Sequence, residues 1–257
     1  MRYLQGLYPV INKANPAGGI FDLEILCPQM AELAVPGQFV HIKAEGFFLR
    51  RPISICGINK ERGTLRIVFA CKGEGTKKLA DLRKGDMADM IGPLGQGFDL
   101  SKAKERAVLV GGGIGVPPML SLAKELGSKA TAISGFRDKS LVILQKDFAA
   151  FGTDTVLCTD DGSAGLHGFV TAPLEEILSG KGADIVYACG PKPMLKNIAA
   201  LCEKYSTACE VSLEERMACG VGACLGCACD IKEEKGGTVR RHVCKNGPVF
   251  DAREVVF

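Results

Sequence analysis

MACGVGACLGCACDIKEEKGGTVRRHVCKNGPVF, residues 217–250, is the stretch that sets the terms for the rest of the chain. Cys219, Cys224 and Cys227 stand in the order C-x4-C-x2-C, and Cys244 follows after a hairpin-like insert. Four thiolates at this spacing suit a [2Fe–2S] cluster, in which they hold two irons. Gly220, Gly222 and Gly226 fit the same reading. A loop wrapped around a small inorganic core needs turns at φ > 0 and close approach of N–H groups to sulfur, which glycine supplies at least cost. Cys229 is a fifth thiol. On an extended strand leaving Cys227 it shares that residue's face but lies about 6.6 Å further along, so it reads as a neighbour of the cluster and not a ligand.

Structural zinc is the competing reading, because four thiolates also suit Zn²⁺. Zinc sites usually pair two short C-x2-C knuckles. Here one compact three-cysteine loop meets a single distant fourth, and ligand type and spacing favour the cluster. A disulfide framework is disfavoured. No signal-peptide pattern opens the sequence, and the other cysteines are scattered singly through apolar runs, as expected in a reducing cytoplasm.

With 257 residues the chain has room for two domains and a small cluster-bearing module. Its 47% hydrophobic and 24% charged content is that of a globular protein. A net charge of +3, with no basic run, gives no footprint for nucleic acid as a partner. No apolar segment approaches the ~20 residues needed to cross a bilayer, so no membrane partner is expected.

Immediately upstream of the cysteine stretch, five apolar runs alternate with helical patterns. They are RAVLV (106–110), ATAIS (130–134), DTVLCT (154–159), ADIVYAC (183–189) and ACEVSL (208–213). The alternation predicts a parallel sheet with helices on both faces. The first run enters GGGIGVPPML (111–120). This is not G-x-G-x-x-G: Val116 stands at the third glycine position, and Pro117 and Pro118 open the helix, where proline is tolerated. Gly112, Gly113 and Gly115 remain candidates to hold a diphosphate, although a glycine loop after a strand is also simply a tight turn. The fourth run ends in CGPKPML (189–195), at the carboxyl edge where open α/β sheets bind ligands. Cys189 and Gly190 are candidates there, with Cys189 either facing a nicotinamide or serving as a small buried thiol. TDDGSAGLHGFV (159–170) reaches the same edge, and Asp160 or Asp161 is placed to bond a ribose hydroxyl. Arg137 would suit a 2′-phosphate while the acidic pair argues for NAD, which leaves NAD and NADP open.

Further out, from Tyr3 to about Phe98, short alternating runs are broken by Gly, Pro and Asn. GIFDLEILC (19–27), QFVHIKA (38–44), RPISICGI (51–58) and TLRIVFA (64–70) read as strands of an antiparallel barrel. One helix is predicted within it, GTKKLADL at 75–82 with Thr76 as N-cap. GPLGQGF (92–98) closes this half. FLRRPISI (48–55) sets Arg50 and Arg51 beside Pro52 and Ser54, and arginine suits bidentate phosphate contact. GEGT (73–76) feeds a helix N-terminus, where free N–H groups attract a pyrophosphate. Together they point to a dinucleotide such as FAD; alone, the arginine pair is an ordinary solvated pair. His41, His167 and His242 are dispersed and read as ordinary.

RPISI, GEGT, GPLGQGF, GGGIGVPPML, CGPKPML and the cysteine loop, in this order along nearly the whole chain, resemble the ferredoxin–NADP reductase superfamily. The chain is most similar there to the electron-transfer subunits of NAD-dependent dihydroorotate dehydrogenase. The resemblance implies an antiparallel β-barrel FAD domain at 1–99, an α/β parallel-sheet nicotinamide domain at 100–212, and a [2Fe–2S] module at 213–257. It maps the cluster ligands to Cys219, Cys224, Cys227 and Cys244, and the flavin segments to Arg51, Pro52, Ile53, Ser54, Val68, Phe69, Ala70, Gly75 and Thr76. GPVF (247–250) after the fourth ligand also matches. The implied activity is electron transfer between an FMN-containing catalytic subunit, which oxidises dihydroorotate in pyrimidine biosynthesis, and NAD, by way of the cluster and FAD. A cytoplasmic heterotetramer with two of each subunit is expected. The alternatives are a reductase subunit serving an oxygenase, ferredoxin or sulfur-reducing partner, and a zinc-binding scaffold. Residues 217–229 carry no charge, which suits a lasting docking surface for the partner or packing against the chain's own domain.

Overall fold

The computed structural model of the chain describes residues 3–233 and 236–257. Its first half contains β1 (Leu4–Ala17), β2 (Ile20–Leu26), α1 (Pro28–Leu33), β3 (Phe39–Ile42), β4 (Arg51–Asn59), β5 (Thr64–Ala70), α2 (Glu74–Asp81) and β6 (Met87–Leu94). The six strands close into an antiparallel barrel in the order β1-β2-β5-β4-β3-β6. Closure leaves no free edge to pair with another chain. Alternation decides what fills it. Val40 and Ile42 of β3, Ile53 and Ile55 of β4, and Leu65 and Ile67 of β5 share one core, as period-2 strands with one buried face require.

Two local expectations are corrected. The barrel half holds two helices and not one, because α1 begins with Pro28 at its first turn and runs only six residues. So short a segment shows no helical periodicity. In addition, α2 starts at Glu74 with Gly73 as its cap, so Thr76 lies inside the first turn. From there its Oγ1 reaches back to accept the Lys72 and Gly73 N–H groups at 3.0 and 3.1 Å. The hydroxyl thus satisfies the start of the helix from three residues in.

The second half holds β7 (Ala107–Gly112), α3 (Val116–Leu126), β8 (Ala130–Phe136), α4 (Gln145–Ala150), β9 (Asp154–Thr159), β10 (Leu166–His167), α5 (Thr171–Ser179), β11 (Ile185–Cys189), α6 (Lys192–Lys204) and β12 (Ala208–Ser212). These strands are parallel, in the order β10-β9-β8-β7-β11-β12. Each face is covered. Val108 and Val110 of β7 point to the core shared with α5 and α6, while Ala107 and Leu109 point to the core shared with α3 and α4. The chain leaves β7 in one direction along the sheet and returns beside it with β11. The switch point therefore falls between the glycine loop after β7 and the turn after β11, with Gly111 opposite Cys189.

The last segment forms the hairpin β13 (Ala228–Lys232) and β14 (Thr238–His242), then α7 (Val243–Asn246) and β15 (Val249–Asp251). β15 pairs antiparallel with β12, Val211 opposite Phe250, and becomes the seventh strand of the large sheet. Pro248 accepts the Leu213 N–H at 2.9 Å, and Gly247 accepts the Gln96 N–H at 2.5 Å. The cysteine-bearing segment is thereby tied to both the sheet and the barrel exit. On the other flank, Arg66 of β5 pairs with Asp22 of β2 at 2.6 Å and also with Asp147 of α4. Lys124 of α3 donates to the Ile58 carbonyl at 2.7 Å, a second tie between barrel and sheet.

Candidate functional site

The cysteine loop departs from β12 and wraps back against the barrel. Cys227 and Cys244 are buried, Cys219 half-buried and Cys224 exposed. Backbone N–H groups turn inward onto sulfur. Val221, Ala223 and Cys224 donate to Cys219 Sγ at 3.3–3.4 Å, Gly226 to Cys224 Sγ at 3.5 Å, and Cys244 to Cys227 Sγ at 3.4 Å. Such donors stabilise thiolates. Burial acts to raise the Cys219 pKa, but these N–H groups and the Cys224 thiol outweigh it and hold the value at about 6. Cys244 is pushed up to about 12 by burial and by its hydrogen bond with the Cys227 thiol.

The thiols therefore fall into two neighbouring pairs, Cys219 with Cys224 and Cys227 with Cys244. Among the described residues, no three His, Cys, Asp or Glu side chains are set around one metal ion. The fit to a two-iron core rests on the donor set instead: four thiols in two pairs, with N–H groups aimed at their sulfurs. Cys229, on β13, accepts no backbone N–H among the described contacts and packs partly buried against the core. Burial first, then the charge of Glu215, pushes its thiol up to about 11.

The glycine reading of this loop needs one correction. Gly220 and Gly222 take positive φ, at 72° and 84°, but Gly226 does not. The left-handed turn beside it is made by Leu225, at φ 60°. A Cβ on Gly226 would meet only Cys224 Sγ, at 3.6 Å, an ordinary contact.

On the barrel, Arg51, Pro52, Ile53 and Ser54 open β4 and lie opposite Ile42, His41, Val40 and Phe39 of β3. Ile53 and Phe69 are spent on the barrel core, so only their backbone is left for a ligand. Val68 packs into the core shared with α3. Arg51 crosses the ring of Phe47 at 5.0 Å and folds over Gly75, where any Cβ would overlap the guanidinium. This places a cation beside the positive end of α2. A cation and a helix N-terminus side by side suit an anion such as a pyrophosphate.

Barrel and sheet meet in a cleft of about 930 Å³. Ala70 at the end of β5 and Cys71 just beyond it line the cleft on one side, and Gly112, Gly113, Gly115 and Gly190 line it from the switch point. At Gly115 a side chain would collide with the Cys189 carbonyl, so glycine permits the close approach of the two loops. Arg137 and Asp160 both line the cleft, whereas Asp161 is turned to Ser163, whose N–H it accepts at 2.9 Å. Cys189 does not line it. Its side chain is 1% exposed and burial pushes the thiol up to about 12, so the buried-thiol alternative holds. Arg51 to Ser54, Gly75 and Thr76 lie outside this lining, further along the barrel.

Two residues were overlooked in the sequence. Glu214 brings a carboxylate into the cleft, and its place just beyond a strand ending at the carboxyl edge was the available signal. His41 is the other. It is wholly buried, neither ring nitrogen has a hydrogen-bond partner, and burial pushes its pKa down to about 4. The alternation of QFVHIKA, which sends Val40 and Ile42 inward, marks His41 as facing out of the barrel. Of the other histidines, His167 is exposed and His242 is half-buried with Nδ1 unpartnered.

The iron–sulfur cluster binding domain of dihydroorotate dehydrogenase B matches residues 214–256. Over 255 residues and 96% of both chains, the sequence is 43% identical to the electron transfer subunit of dihydroorotate dehydrogenase B (NAD(+)) of Bacillus cereus strain B4264. It is 44% identical over 256 residues, again 96% of each, to the same subunit of Geobacillus thermodenitrificans. Among solved structures it superposes on the NADH-dependent reduced ferredoxin-NADP oxidoreductase with a TM-score of 0.86 at 29% identity, covering 98% of this chain and 90% of that one. With a barrel, a parallel sheet and a four-thiol loop in one continuous match, the chain belongs to the electron-transfer subunits of NAD(+)-dependent dihydroorotate dehydrogenase B.

Proposed function

We propose that Cys219, Cys224, Cys227 and Cys244 hold the [2Fe–2S] cluster of this electron-transfer subunit. On the same reading, Arg51–Ser54, Val68–Ala70, Gly75 and Thr76 hold FAD, and Gly112, Gly113, Gly115 and Gly190 receive NAD. Cys189 contributes its backbone beside Gly115 and not its thiol. The observation that carries this reading is that the loop whose N–H groups turn onto Cys219 packs against His41 of β3, the strand paired with the Arg51-bearing β4. When bound, the flavin joins two-electron exchange at NAD to one-electron exchange at the cluster.

The chain's own residues bind, orient and exclude water. Arg51 and the α2 N-terminus neutralise the flavin's phosphates. The loop N–H groups favour thiolate over thiol at Cys219, so this one ligand needs no cationic side chain beside it. Gly113 and Gly190 keep the cleft floor low enough for a nucleotide backbone to approach, and Asp160 takes the ribose hydroxyl. No general acid or base is required of the chain.

The catalytic partner oxidises dihydroorotate, in pyrimidine biosynthesis; it carries FMN, and two copies of each subunit assemble in the cytoplasm. No helix among the described residues is long and apolar enough to cross a membrane. The division at residues 99 and 212 follows the barrel exit and the end of the parallel strands, with β15 returning from the cluster module to the sheet. Iron and flavin analysis tests the site. The purified chain is expected to hold about two irons and FAD, Cys244→Ser to lose the iron, and Cys229→Ser to keep it. Loss of iron in Cys229→Ser with retention in Cys244→Ser contradicts the ligand set.

A further inference from the structure

His41 stands where the barrel meets the cysteine loop. Phe39, two residues away on the same side of β3, joins the core that contains Cys227, Val243 and Cys244. Across the ladder His41 lies opposite Pro52, next to Arg51. On its other side, a Cβ on Gly220 would come within 2.5 Å of its Nδ1. The ring is thus held between the strand assigned to flavin and the residue that follows Cys219. Backbone groups of Arg50 and Cys219, one from each side, act on the ring to favour its protonated form, although neither closes a hydrogen bond of ordinary geometry. A leucine would fill the same space without leaving polar atoms unpaired, and an unpaired buried polar atom is costly. The Cys219 turn is the hydrogen-bonding partner available to the imidazole on this side.

We propose that His41 is a positioning residue for the electron path, hydrogen-bonding the Cys219 turn and fixing the cluster against the flavin strand. The proposal rests on the assignment of Cys219 as a ligand and of Arg51–Ser54 as the flavin segment. The imidazole itself gains and loses no electron; single electrons pass between the cofactors on either side of it. A donor held against a ligand's turn favours the more negative, reduced cluster, as outer-shell hydrogen bonds to metal ligands do. Gly220 is then doubly required, by its positive φ and by the room it leaves for the ring.

The test compares His41→Leu with His41→Gln in the full chain bound to its catalytic subunit. Iron and FAD are quantified, and the cluster is titrated reductively with EPR detection. Both variants are expected to keep iron and FAD. At the potential where the wild-type cluster is half reduced, His41→Leu is expected to show a reduced-to-oxidised ratio lower by about twofold to tenfold, the worth of one hydrogen bond. Its EPR signal should change as well. His41→Gln, which offers both a donor and an acceptor, is expected to restore most of the ratio. A wild-type potential and signal in His41→Leu overturn the proposal, as does equal loss of iron from both variants, which would make the ring a shape requirement only. A wild-type chain without any cluster signal overturns the ligand assignment beneath it.

Discussion

Gly75→Ala probes the flavin phosphate site without altering Arg51. Gly75 is the second residue of α2 and its φ is not left-handed, so the backbone accepts alanine. Alanine in place of glycine favours a helix by up to about 1 kcal/mol, and thermal stability should hold or rise. The added methyl would occupy the space of the Arg51 guanidinium. As the end of a flexible side chain, the guanidinium swings away, and the cost falls on the ligand. A charge-assisted hydrogen bond is worth about 1.5–3 kcal/mol. At about 1.4 kcal/mol per tenfold, FAD should bind roughly 10- to 150-fold more weakly. Arg51→Ala removes the same contact and should fall in the same range. Because both changes act on one interaction, the double variant should be no weaker than the weaker single one, within about 0.5 kcal/mol. Titration of the flavin-free chain with FAD, followed by flavin fluorescence, measures all three. Wild-type affinity in Gly75→Ala, or full additivity in the double variant, refutes the reasoning.

Other expectations follow from the loop and the cleft. Leu225 is 59% exposed at the tip of the uncharged loop. Leu225→Glu should weaken assembly with the catalytic subunit in analytical ultracentrifugation while iron content stays unchanged, and unaltered assembly would remove the loop as a docking surface. NADH should be preferred over NADPH in steady-state dye reduction, and Asp160→Ala should narrow the preference by raising the NADH KM; a clear NADPH preference contradicts the ribose assignment.

Much of this architecture could be read before any coordinates, and the reason is burial. Strands covered on both faces must be apolar throughout, and the five predicted runs coincide with β7, β8, β9, β11 and β12 to within two residues at either end. The iron–sulfur domain at 214–256 was legible because metal coordination fixes the spacing of thiols. What escaped detection depended on tertiary contact. Beside Gly220 and Gly222, the third left-handed residue of the cysteine loop is Leu225 and not the adjoining Gly226. Cys189 ends its strand with its thiol under the sheet edge and its carbonyl against Gly115, which sequence order cannot reveal. His41 looked ordinary since its significance lies in meeting Gly220, 179 residues away in the chain by their numbers. The return of β15 to β12 was hidden because only three residues pair, too few for a periodic signal.

The central claim is that electrons reach NAD in this chain by way of the four-thiol loop. The most direct measurement is NADH formation from dihydroorotate and NAD⁺, under anaerobic conditions, by the chain assembled with its catalytic subunit. The wild-type assembly is expected to form NADH, followed by the near-ultraviolet absorbance of the reduced nicotinamide. An assembly carrying Cys244→Ser, with its FAD and its partner retained, is expected to form none. NADH formation at the wild-type rate in that cluster-free assembly would contradict the account.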